Sequence, residues 1–274
     1  MSGRPGNDRP AVEELMALAV AAARAAGAVL EGFSRDALDV TRKGAAGDLV
    51  TAADTAAEAE VRAVLRRARP DDGVLGEEDG LERGRSGLTW VVDPLDGTTN
   101  YVRGIAYWGT SVAVRRDADG AILAGAIHAP ALGRTYRAGA GLGAWLDRGD
   151  GTSVPLRRGG AGDDAPALLG TGFSYDAERR AAQAAAMTGL LDVVVDVRRL
   201  GAAALDLCAV ADGALDAYAE SDLREHDFAA GALIAAEAGA RVSGRRPGTP
   251  PSEDLVLAAR PDLYDLLVPR CGAL

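Results

Sequence analysis

Apolar residues recur along this chain with two different periods. Over residues 11–33, Leu15, Leu18, Ala22, Val29 and Phe33 fall on roughly one face at helical spacing. Glu13, Glu14, Arg24 and Glu31 occupy other positions, so an amphipathic helix is expected. A second helix is expected from Asp54 to Arg69, where Pro70 stops it. The next stretch, PDDGVLGEEDG, reads as a loop, and Trp90-Val91-Val92 reads as a buried strand. Strand-like runs follow at 109–114, 121–128, 134–138 and 144–146, separated by turn signals such as DADG and ALGR. Such a meander predicts an antiparallel sheet and an α+β organisation for residues 1–150.

The Gly-, Asp- and Arg-rich stretch at 147–166 is the best boundary between two units. Beyond it the pattern alternates. Strands are expected at 168–173, 193–197, 215–219 and 255–258, with helices at 176–191, 201–211, 227–238 and just after Pro261. This predicts an α/β arrangement for residues 151–274.

Composition narrows the functional classes. Hydrophobic residues make up 48% of the 274, enough for a sizeable core, which argues against disorder. A formal net charge of −10 disfavours nucleic acid and anionic membrane surfaces as partners and favours cations. The two cysteines, Cys208 and Cys271, have no partner at zinc or redox spacing, so reduced thiols in a cytoplasmic protein are expected. MSGRPGNDRP lacks the apolar core of a signal peptide, and no stretch is expected to span a membrane.

The most informative segment is WVVDPLDGTTN. Its strand runs into Asp93 and Asp96, three residues apart, across a turn ending in Gly97, Thr98 and Thr99. Two converging carboxylates repel unless a cation lies between them, and a hard cation such as Mg²⁺ suits oxygen donors. The Gly97 amide and the threonines offer donors to a phosphate, especially if a helix begins there. A polar loop with no ligand remains the alternative reading of this stretch alone. The spacing fits neither an EF-hand nor a D-x-D nucleophile motif. Other acids could join the pair: Glu77 and Glu78 in GVLGEEDG, Asp48 in GDLVTAAD, and Asp227 at the start of an Ala-rich helix. Taken singly, Asp48 and Asp54 read as helix caps, Asp227 as a first-turn acid, and Glu78 and Asp79 as solvated loop charges.

Taken together, GDLVTAAD, GEEDG, WVVDPLDGTTNY and HDFAAGALIAAEAGA resemble the inositol monophosphatase family in order and rough spacing. TGFSYDAERRAAQ, DVRRLGAAALDLC and DGALDAYAE resemble its bacterial branch, so the resemblance covers residues 11 to 268. It implies a layered αβαβα sandwich and a Mg²⁺-dependent, lithium-sensitive phosphomonoesterase that works as a homodimer. By the same resemblance Glu77, Asp93, Asp96, Asp227 and the Leu95 carbonyl hold two or three Mg²⁺ ions. Asp48 and Thr98 orient the attacking water with Glu77 close by. Asp96, Gly97, Thr98, Ala203 and Glu220 contact the substrate. Glu78 is a supporting neighbour, and Lys43 resembles a basic residue on a loop near the third metal. With only His128 and His226, no Ser-His-Asp arrangement is evident.

The chain departs from the family pattern twice. His226 stands where Trp is usual, either tuning the site or filling space. Ala202 stands where Ser or Thr is common, which removes a hydroxyl from the substrate side. Both changes question the substrate, not the reaction. The implied substrate is a small phosphate monoester, foremost myo-inositol monophosphate. Histidinol phosphate, fructose 1,6-bisphosphate or a nucleotide 3′-phosphate are alternatives on the same scaffold. A non-catalytic, partner-binding protein on this fold is the remaining class.

Overall fold

A computed structural model describes residues 9–33, 40–42, 49–157 and 166–274. Helix α1 (Arg9–Gly32) precedes a ribbon of β1 (Val40–Arg42) and β2 (Leu49–Thr51), which leads into α2 (Ala52–Ala68). Strands β3 (Gly73–Gly76), β4 (Gly80–Glu82) and β5 (Leu88–Asp96) come next, then the short helix α3 (Thr98–Arg103). β6 (Gly109–Arg116), β7 (Ile122–Ala129), β8 (Arg134–Gly139), β9 (Gly143–Arg148) and β10 (Ser153–Leu156) complete an eight-stranded sheet in the order β10-β9-β8-β7-β6-β5-β3-β4. Every neighbouring pair in it is antiparallel except β3 and β5.

The chain then forms β11 (Leu168–Gly170), α4 (Ala177–Ala186), β12 (Asp196–Arg198), α5 (Ala203–Asp212) and β13 (Ala217–Glu220). α6 (Glu225–Glu237), β14 (Arg241–Ser243), β15 (Val256–Ala259) and α7 (Pro261–Leu267) follow. The second sheet runs β12-β11-β13-β15-β14, parallel among its first three strands and antiparallel beyond.

Five layers result, because each sheet is apolar on both faces. Ala19, Ala22, Ala23, Ala26 and Leu30 of α1, with Ala53, Ala57, Val61 and Leu65 of α2, pack on Trp90, Val92, Val112 and Val114. The opposite face, with Val91, Ala113 and Ile127, receives Ala204, Leu205 and Cys208 of α5 and Ala229, Ala230 and Ile234 of α6. The other sides of α5 and α6 meet Tyr218, Val256 and Ala258 of the second sheet. Met187, Leu190, Leu263 and Leu267 cover that sheet's far face. The order is therefore helices, sheet, helices, sheet, helices.

The middle layer is tightly drawn in. A Cβ added at Gly125 of β7 would lie 3.0 Å from Ala230, and one at Gly231 of α6 would lie 2.8 Å from Leu207. Small residues thus let α6 approach both β7 and α5 closely.

Several expectations need correction. The stretch after Pro70 is not a loop throughout, because Gly73–Gly76 and Gly80–Glu82 are strands. Val74 and Leu75 are the apolar centre of β3, flanked by Asp and Gly residues that carry a loop signal. The strand expected at 193–197 forms only at Asp196–Arg198, since Val193 and Val194 are held in turns by the Leu190 carbonyl. Val29 and Phe33 are only half-buried, and the inner face of α1 is built from alanines instead. Residues 11–32 are long and apolar enough to cross a membrane by length and composition, but this helix lies against the first sheet as a core element.

Candidate functional site

Strand β5 builds the centre of the site. Asp93 pairs with Ser111 and Asp96 with Gly109, so three steps along β5 match two along β6. In an unbroken strand residues three apart face opposite sides. The extra residue is a bulge that removes one alternation and lets both carboxylates line the same cavity. Gly97 then turns the chain at φ 89°, a left-handed conformation that glycine adopts without a Cβ penalty. A Cβ there would also press within 3.0 Å of the Tyr107 carbonyl. Helix α3 starts at the next residue, which meets the condition set for the Gly97 and threonine donors.

Other elements bring the remaining groups. Glu77 follows β3, and its amide donates to the Val92 carbonyl at 3.2 Å, which ties it to β5. Asp227 lies in the first turn of α6, where its Oδ2 accepts from the Arg224 amide at 2.6 Å. Glu220 ends β13 and accepts a hydrogen bond from Tyr218. The Asn100 amide donates to the carbonyls of Tyr107 (2.7 Å) and Leu200 (2.9 Å), joining the segment after Gly97 to the approach of α5.

These pieces enclose a cavity of about 200 Å³. Of the residues singled out in the sequence, Glu77, Asp93, Leu95, Asp96, Gly97, Thr98, Ala203, Glu220 and Asp227 all line it. Asp48 and Lys43 lie outside the described residues. Glu78 does not line the cavity; its amide donates to Glu58 Oε2 at 2.8 Å. His226 Nε2 sits 3.5 Å from Asp227 Oδ1. His128 is elsewhere, 3.0 Å from the Thr135 hydroxyl, with its pKa lowered by burial. Cys208 and Cys271 are buried free thiols.

Three contributions were not legible beforehand. Asp54 belongs to the first turn of α2, but its Oδ1 also lies 3.2 Å from the Thr98 hydroxyl. That hydroxyl is 3.0 Å from the Leu95 carbonyl as well, and its single proton serves one acceptor at a time. Asp96 caps α5 from a distance: its two oxygens accept from the amides of Ala203 (3.2 Å) and Ala204 (2.8 Å). Ala202, at the N-cap position, has no side-chain oxygen to do this. Asp206 and Arg199 also line the cavity, with Asp206 accepting from the Tyr107 hydroxyl at 2.8 Å. The Asp54–Thr98 and Asp96–α5 contacts join residues 44 or more positions apart, so no local pattern announces them.

The electrostatics are one-sided. Burial pushes the Asp93 carboxyl well above the usual range, and the charges of Glu77, Asp96 and Asp227 push it the same way. The Leu95 amide, donating to Asp93 Oδ1 at 2.9 Å, opposes this. Asp96 is raised by burial first and then by Asp227. Burial likewise raises Asp206 to about 8 and Glu220 to about 7. Among the described lining residues the only cationic side chain is Arg199.

Among the described residues, no three acidic, histidine or cysteine side chains close into a ready-made metal cage. The acids surround a cavity rather than a point. Their chemistry still fits hard divalent cations, because among the described residues seven acidic side chains and one guanidinium line the space. Each Asp96 oxygen keeps a lone pair after accepting an amide proton, so capping α5 does not exhaust it.

Comparison with known proteins agrees with this architecture. The inositol monophosphatase family model matches residues 11–271. An inositol-1-monophosphatase from Mycobacterium leprae is 47% identical over 235 residues, covering 84% of this chain and 80% of that protein. A Haemophilus influenzae protein named Nus factor SuhB is 38% identical over 232 residues, 83% of this chain and 84% of its own. The solved inositol monophosphatase from Anabaena superposes with a TM-score of 0.80 at 33% identity, covering 95% of this chain and 96% of that one. The chain belongs to the inositol monophosphatase family.

Proposed function

We propose that this protein hydrolyses a small polyol or sugar phosphate monoester, foremost myo-inositol monophosphate, with Mg²⁺ as cofactor. One observation carries the reading: Glu77, Asp93, Asp96 and Asp227, from three separate segments, line one cavity together with Gly97 and Thr98. Two relatives with phosphatase names support it, the Mycobacterium leprae and Anabaena proteins.

In this reading Glu77, Asp93, Asp96, Asp227 and the Leu95 carbonyl hold two or three ions. Mg²⁺, when bound, supplies Lewis-acid stabilisation of phosphoryl and leaving-group oxygens and lowers the pKa of a bound water. The protein's own groups do the rest. Gly97 and Thr98 face the phosphate. The Thr98 hydroxyl, backed by Asp54 and by the expected Asp48, orients the water in line with the leaving group. Ala203 and Glu220 contact the alcohol part of the substrate. A cytoplasmic homodimer sensitive to Li⁺ completes the proposal.

A second reading rests on the name Nus factor SuhB, which is not that of a phosphatase. It makes the chain a partner-binding protein with an idle cavity. Phosphate release from a panel of esters, with Mg²⁺ or with EDTA, separates the two. Mg²⁺-dependent turnover of inositol 1-phosphate is expected. Turnover of histidinol phosphate a hundredfold faster would change the named substrate, and inertness toward every ester would favour the second reading.

A further inference from the structure

Behind the Glu77 turn, away from the cavity lining, α2 carries a buried ion pair. Glu58 is fully buried, and Arg62, one turn later, is 4% exposed. Arg62 Nη2 lies 2.8 Å from Glu58 Oε1, and Arg62 Nε donates to the same oxygen at 2.9 Å. The Glu58 carboxylate does more than pair. Its Oε2 accepts from the Glu78 amide at 2.8 Å, and its Oε1 accepts from the Asp79 amide at 3.1 Å. Arg62 meanwhile donates to the Gly80 carbonyl at 2.8 Å and reaches Glu82 at 3.4 Å. One helix face therefore grips four of the five residues that follow Glu77.

The grip explains Gly76. A Cβ at that position would overlap the Glu58 carboxylate. The glycine before Glu77 thus leaves room for the acid that fixes the residues after it. Glu77 is held on one side by its own amide bond to β5 and on the other by amides bound to Glu58.

We propose that Glu58 is the positioning residue for Glu77, setting the affinity of the cavity for divalent cations without touching the cavity itself. This rests on the reading of Glu77 as a metal donor. It follows from rigidity: a carboxylate whose neighbouring backbone is anchored loses less freedom on binding an ion than one on an open turn. A neutral amide at 58 would keep the volume. It would also set an N–H₂ group against either the Arg62 guanidinium or the backbone amides, a donor facing donors.

The test uses full-length protein and Mn²⁺ as the probe ion, with binding read by calorimetry and by the electron paramagnetic resonance of free Mn²⁺. Folding is followed by melting in EDTA. Glu58→Gln is expected to weaken Mn²⁺ binding tenfold or more. The KM for the phosphate ester at saturating Mg²⁺ should stay within twofold. Gly76→Ala displaces the carboxylate without removing it and is expected to weaken Mn²⁺ binding in the same way. Either variant, folded and binding Mn²⁺ as tightly as the wild type, would overturn the inference, because a purely structural pair would lower the melting temperature alone. If Glu58→Gln does not fold, Gly76→Ala decides. A wild-type protein that binds no Mn²⁺ overturns the reading of the cavity, and the inference with it.

Discussion

Two sets of buried carboxylates lie side by side in this molecule. Glu58 faces a guanidinium and two backbone amides, all within hydrogen-bonding distance. Asp93 and Asp96 are almost as deeply buried, yet they face Glu77 and Asp227, and among the described residues their hydrogen bonds come from backbone amides. The first set has its counter-charge beside it, while among the described residues the second faces mainly other acids. Burial therefore does not separate the two sets; the sign of the neighbours does.

Breaking the complete set should have the largest effect. Glu58→Ala leaves Arg62 buried and unpaired and is expected to cost about 3–5 kcal/mol in chemical denaturation. Asp93→Asn should act oppositely on the metal-free protein, raising its melting temperature by removing a repelled charge. Its phosphatase activity should fall by at least about 100-fold, since even residues behind metal ligands cost 10–100-fold. An Asp93→Asn protein that melts lower in EDTA would erase the contrast.

The pH dependence sharpens the same point. Glu220, raised from 4.5 to about 7, and Asp206, raised to about 8, keep their protons in the folded protein over a range where the unfolded chain has released them. The folded state then binds more protons, so stability falls as pH rises from about 3.8 to about 8. Melting in EDTA across this range should show the loss, and Mg²⁺ should flatten it. A smaller effect is expected from Thr98→Val, which removes the hydroxyl beside Asp54 and should lower kcat roughly tenfold with little change in KM. The smallest belongs to the exposed Arg9–Glu13 pair, whose removal should shift stability by at most ~0.5 kcal/mol.

Much of the candidate site was legible because its donors sit in short, chemically unusual runs. D-P-L-D-G-T announces itself by two acids at the end of an apolar strand, and nine of the flagged residues reach one cavity. The layered sandwich was legible through the resemblance, while periodicity alone found most helices. What escaped was long-range or subtle. The short strands β3, β4, β10 and β14 carry three or four residues each, too few to show a period. Asp54 looked like a helix-start residue and is one, but its contact with Thr98 depends on how α2 meets β5. A spacing signal did exist, since Asp54, Glu58 and Arg62 recur every four residues beside the apolar row Ala53, Ala57, Val61 and Leu65. Charges along the edge of this core-facing stripe are buried.

Glycine and alanine at the crossing of α6 with β7 and α5 have a reach beyond packing. Asp227 rides at the near end of α6, three residues before the stretch that Gly125 and Leu207 clasp. A single methyl group inserted at either clasp would tilt the helix like a beam on a raised pivot and swing that carboxylate away from its companions. Sequence drift at these inert-looking spots can therefore detune the pocket while leaving every polar residue untouched.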